Sequence, residues 1–75
     1  MSKETLVSVH RTFGIYHAHA GSGLKTCSTV SRLSGPDAAT RAAAKYLGTS
    51  VHNIALQKSK PGVFRAHLIF EEDAS

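Results

Sequence analysis

Only one stretch of this chain reads as a helix, and its inner stripe is mostly alanine. Ser34-Gly35-Pro36-Asp37 opens it with a capping serine, a proline that a first turn tolerates, and an acid three residues after the serine. That is a capping-box pattern completed by Asp rather than Glu or Gln. From Asp37 to Leu47 the alanine-rich run has high helix propensity, and Gly48 suits a left-handed terminus. Ala39, Ala42, Ala43, Tyr46 and Leu47 share the stripe, Arg41 and Lys45 share another side, and Ala44 is expected to turn away. A stripe of methyl groups lets the helix lie close against a sheet. At about 1.5 Å per residue it spans only about 16 Å, too little to cover both faces of that sheet.

The rest of the chain supplies the strands. Thr5 to Arg11 is rich in β-formers, Thr12-Phe13-Gly14 offers a hairpin turn, and Ile15 to Ala20 returns. After Gly21-Ser22-Gly23, Leu24 to Ser31 forms a third strand in which Leu24, Thr26, Ser28 and Val30 alternate with Lys25, Cys27, Thr29 and Ser31. Val51, Ile54 and Leu56 mark an extended segment after the helix. Pro61-Gly62 suits a type II turn, and Val63 to Phe70 closes the chain with Phe64, Ala66, Leu68 and Phe70 on the core side.

The expected fold is therefore α+β, one domain over residues 1–75 in the order β-β-β-α-β-β. Its mainly antiparallel sheet of four or five strands carries one helix on one face. The other face is expected to carry Ser8, Lys25, Thr29, Arg65 and His67, either solvated or against a partner.

Charge is unevenly placed. Between residues 5 and 70 the eight cations Arg11, Lys25, Arg32, Arg41, Lys45, Lys58, Lys60 and Arg65 face Asp37 alone, eight less one leaving +7, while the tail 71–75 is acidic. A basic body favours anionic partners through long-range attraction, and five histidines add to it below about pH 6.5. The single cysteine, Cys27, cannot close an internal disulfide, and no signal peptide or membrane span is legible, so a cytoplasmic setting without membrane contact is expected.

Catalytic chemistry lacks its parts. Cys27 could be drawn as a nucleophile beside a histidine, yet Asp37 is the one acid in the body and already serves the helix start. His17-Ala18-His19 puts two imidazoles on one strand face, with Cys27 or His67 as a conceivable third ligand, short of the set a structural zinc site needs. Gly21 and Gly23 lack the helix and third glycine of a dinucleotide loop. No cofactor, no metal and no enzymatic activity are expected.

Two resemblances bear on function. The segment from Ile15 to Leu47, with Ala42-Ala43-Ala44-Lys45 in its helix, resembles the second half of a double-stranded-RNA-binding domain, which implies RNA or DNA as partner. In that family a lysine cluster opens the helix, where this chain has Gly35-Pro36-Asp37. The whole-chain layout, from Thr5-Leu6-Val7-Ser8-Val9 through a hairpin and a Gly-Pro-Asp-Ala-Ala segment into the alanine-rich helix and a closing strand pair, is similar to small phage and mobile-element proteins. Among these are anti-CRISPR inhibitors of type I surveillance complexes. That resemblance implies a non-enzymatic inhibitor docking on a protein or ribonucleoprotein target. The candidate binding residues are Arg11, Phe13, Tyr16, Lys25, Arg41, Lys45, Lys58, Lys60, Arg65 and His67, with Phe13 and Tyr16 as free aromatics beside the first turn. A homodimer would suit so small a core.

Overall fold

The computed structural model describes residues 4–22 and 25–69. Strands β1 (Glu4–Thr12), β2 (Ile15–Ser22), β3 (Lys25–Ser31), β4 (Ile54–Lys60) and β5 (Val63–Leu68) form one antiparallel sheet in the order β3-β2-β1-β5-β4. Helix α1 (Gly35–Leu47) lies across one face, as expected. The first strand is central because the last returns to its free side, so that Val7 stands between Ala20 of β2 and Phe64 of β5.

Local chemistry accounts for the helix ends. Ser34 has an extended backbone and its hydroxyl accepts from the Asp37 N–H at 3.1 Å, while Gly48 closes the helix at φ +72° with its N–H bonded to the Ala44 carbonyl. The Asp37 carboxylate does not complete a capping box. It accepts from Ser31 Oγ at 2.6 Å and from Arg41 Nε at 2.9 Å, which ties the first helical turn to the end of β3.

The buried stripe is wider than expected. Ala38, Ala39, Ala42 and Ala43 are fully buried, and Ala44, expected to face away, is only 5% exposed. Short side chains let the helix sink until the flanking positions are covered too. Opposite them stand Val7, Ala18, Ala20 and Ala66, and Val7 is the largest side chain fully buried. Each buried methyl stabilises by about 0.8 kcal/mol, against about 1.5 to 3 for a leucine or phenylalanine, so this core is lean. Val9, Tyr16, Leu56, Phe64 and Leu68 close its rim, half-buried.

Register corrects the expected face assignments. Thr29 pairs with Ala18, which puts it under the helix, where its hydroxyl donates to the Ala38 carbonyl at 2.8 Å. Lys25 pairs with Ser22 and so also holds a helix-side register position. Ser8, Arg65 and His67 do stand on the uncovered face. After the helix, Val51–Asn53 is a 3₁₀ turn rather than the start of a strand. It swings the chain to the far edge, and Asn53 there receives the Ile69 N–H on its carbonyl while its Nδ2 donates to Thr49 Oγ1. The next turn docks on β1 directly. Gly62, at φ +78°, accepts from the Val9 N–H at 2.7 Å, and a Cβ there would lie 3.2 Å from the Val9 carbonyl oxygen. Leu24, Phe70 and the acidic tail 71–75 lie outside the described residues.

Candidate binding surface

The end of the sheet where β1 turns into β2 carries the exposed Phe13 and Arg11. Phe13 and Gly14 form the two-residue connection, at φ +51° and +76°. Positive φ at both positions is what a tight hairpin turn with the right twist demands, and Asn-Gly meets it best. A side chain such as Phe pays about 1 to 2 kcal/mol of steric repulsion in this region. Phe13 nevertheless sits there, 99% exposed. Beside it Arg11 holds its guanidinium carbon 5.6 Å from the centre of the Tyr16 ring.

The chain leaving β3 adds exposed Arg32 and the 76% exposed Leu33 to this end, because Ser31 pairs with Tyr16. Three sequence candidates, Arg11, Phe13 and Tyr16, are thus gathered there, while the exposed Lys60 and Lys58 of β4 come level with Ser8 and Val7, in the middle of β1. Tyr16 is not the free aromatic expected. It is half-buried against the helix start, so close that a Cβ on Gly35 would lie 3.6 Å from its ring and 3.3 Å from Val9 Cγ1. Arg32 and Leu33 were missed because a hydrophobic residue just before a helix cap ordinarily reads as a staple onto the helix; only the tertiary structure reveals Leu33 in water.

The other candidates lie elsewhere. Arg41 and Lys45 are on the outer side of α1, and Arg41 is paired with Asp37. The hydrogen bond from Ser31 and then the Arg41 guanidinium hold the Asp37 carboxyl below its ordinary range. Arg65 and His67 stand on the uncovered face, and Lys25 is at the opposite end of β3 from the hairpin tip.

That uncovered face also carries a histidine cluster only half legible in the sequence. His10 stacks on His17 at 5.1 Å between ring centres and on His19 at 5.6 Å, with planes within 9° and 13° of parallel. His19 Nδ1 is hydrogen-bonded to Ser28 Oγ at 3.0 Å. His10 joins the pair because it is directly opposite His17 in the β1–β2 register. Cys27 pairs with Ala20 on the helix side, and His67 is on β5 beyond the central strand, so neither joins. Rings lying face to face do not aim their nitrogens at one point. Among the described residues no group of three His, Cys, Asp or Glu side chains is set to hold a metal ion.

At the other end of the sheet an open cleft is lined by Glu4, Thr5, Leu6, Gly21, Tyr46 and Arg65, a lining without cysteine or histidine. Among the described residues no helix is long and apolar enough to cross a membrane. Compared with family models, with curated proteins and with solved structures, the chain matches none.

Proposed function

We propose that this chain is a small non-enzymatic binding protein that docks through the hairpin end of its sheet onto an acidic surface of a protein or ribonucleoprotein target, in the manner of a phage or mobile-element inhibitor. A CRISPR surveillance complex is the target class we put first. The observation that carries the reading is Phe13, fully in water on a backbone that disfavours it. Strain and exposure together work against folding, and a large exposed aromatic with a cation in the same hairpin is the make-up of an interface anchor. Arg11 and Arg32 at the same end of the sheet, with Lys58 and Lys60 further back on β4, supply steering toward an acidic partner.

Free nucleic acid is the second reading, favoured by the same cations and the same exposed aromatic. Against it, Phe13 is the one fully exposed aromatic among the described residues, whereas a stacking platform needs several.

One variant separates docking from folding. Phe13→Asn should leave the protein folded and more stable, yet abolish protection of a targeted phage in a host carrying a type I CRISPR system. Arg11→Glu should abolish it as well. Failure of the unaltered chain to protect would remove the surveillance-complex target. In mobility-shift titrations at two salt concentrations, generic RNA and DNA should bind only weakly at physiological ionic strength. Submicromolar binding with a steep salt dependence would instead establish the nucleic-acid reading.

A further inference from the structure

The two edges of the sheet are built differently. β4 carries exposed Lys58 and Lys60, its register slips between them, and Pro61 follows. Lysines, a bulge and a proline are the devices by which edge strands avoid pairing with another chain. β3 has no bulge and no proline, and its one lysine, Lys25, is the first residue of the strand. From Lys25 to Ser31 its register with β2 runs unbroken, Val30 is 58% exposed, and the segment between is Thr-Cys-Ser-Thr, compatible with a strand throughout. Among the described residues no strand lies beyond it, and no loop backbone bonds to its outer side.

The core supplies the reason for such an edge. Apart from Val7, the fully buried hydrophobic side chains are alanines, so a chain of this size buries unusually little apolar volume. Domains this small commonly gain the missing stability from a second subunit.

We infer that β3 pairs antiparallel with β3 of a second copy of this chain, about a two-fold axis through Ser28, to give a continuous ten-stranded sheet. A two-fold contact needs one surface that complements itself. Centring on Ser28 uses the whole seven-residue strand. It sets Thr26 against Val30 of the partner subunit on the uncovered face, covering the exposed valine from both sides. Lys25 falls opposite Ser31 of the partner subunit, so no cations are opposed. The pairing goes beyond the docking function proposed above, and neither depends on the other, because the Phe13 tips point away from the axis at opposite ends of the assembly.

Sedimentation of the full chain across micromolar to millimolar concentrations should show a monomer–dimer equilibrium, with a melting temperature that rises with concentration. Thr26→Lys combined with Val30→Lys opposes like charges twice across the axis and should weaken association at least about tenfold. Thr26→Lys combined with Val30→Glu opposes unlike charges and should restore it, which excludes misfolding as the cause. In a Cys27→Ser background, Ser28→Cys should form an intermolecular disulfide under mild oxidation, because directly opposed strand residues come within disulfide reach. Thr26→Cys, four residues out of register with its own copy, should not. A monomer at every concentration would overturn the inference, and so would a dimer that cross-links equally through either cysteine or ignores the paired lysines.

Discussion

The two faces of the sheet follow opposite rules. Under the helix, alanine meets alanine, and the polar groups that intrude are bonded, Thr29 to the Ala38 carbonyl and Ser31 to Asp37. On the other face, imidazoles stack in the open, Arg65 and His67 stand on β5, and Leu6 is 54% exposed. Tight packing makes the first face intolerant of added volume, whereas the second should accept changes of size and polarity. The difference locates stability on one side and leaves the other side, with the hairpin tip, open to solvent.

Overpacking should break the comparison most sharply. Ala43→Leu adds three carbons where helix meets sheet and should cost about 1 to 3 kcal/mol, read as a lowered denaturation midpoint. Ala44→Leu, at the margin of the stripe, should also destabilise, though less. Tolerance at Ala44 equal to that of an outer-face position would show that the helix sits higher than described. At the hairpin tip the sign reverses. Phe13→Asn should stabilise by about 1 kcal/mol by relieving the positive-φ backbone, measurable in the same denaturation series.

Asp37 sharpens the helix-side half through pH. Its carboxyl is held below the ordinary value of 3.8, chiefly by the Ser31 hydrogen bond and then by Arg41. A depressed acid contributes stability that is fully present above its unfolded value and is lost as pH falls through that value toward the folded one. Melting temperature should therefore drop below about pH 4 more steeply in the unaltered chain than in Asp37→Asn, and parallel curves would contradict the linkage. The smallest effect belongs to the open face. Leu6→Thr, a half-exposed position on a central strand, should shift stability by no more than about 0.5 kcal/mol. A larger loss would mean that something covers that face in solution.

Most of the secondary structure was legible because its determinants are local. Ser34, Pro36 and Gly48 delimit the helix through bonds within a few residues, and Gly14 and Gly62 take the backbone angles that their turns need. Strand alternation placed Phe64, Ala66 and Leu68 on the core side for the same reason, since neighbouring side chains point to opposite faces. Of the candidate binding residues, Phe13 and Arg11 could be picked out by type and position. Their company could not, because Arg32 and Leu33 reach the same end of the sheet only through the pairing of β3 with β2.

What the sequence by itself determined is thus the order of the strands and the helix along the chain and the inner side of the last strand. Only the tertiary structure decided that β1 is central, that β3 and β4 are the edges, that Thr29 and Ala44 are covered, and that His10 joins His17 and His19. The physical reason is range. Helix caps and turns are set by interactions across a few residues, whereas strand order and register are set by contacts between segments far apart in the chain, where many pairings have similar local propensity and the shared core selects among them.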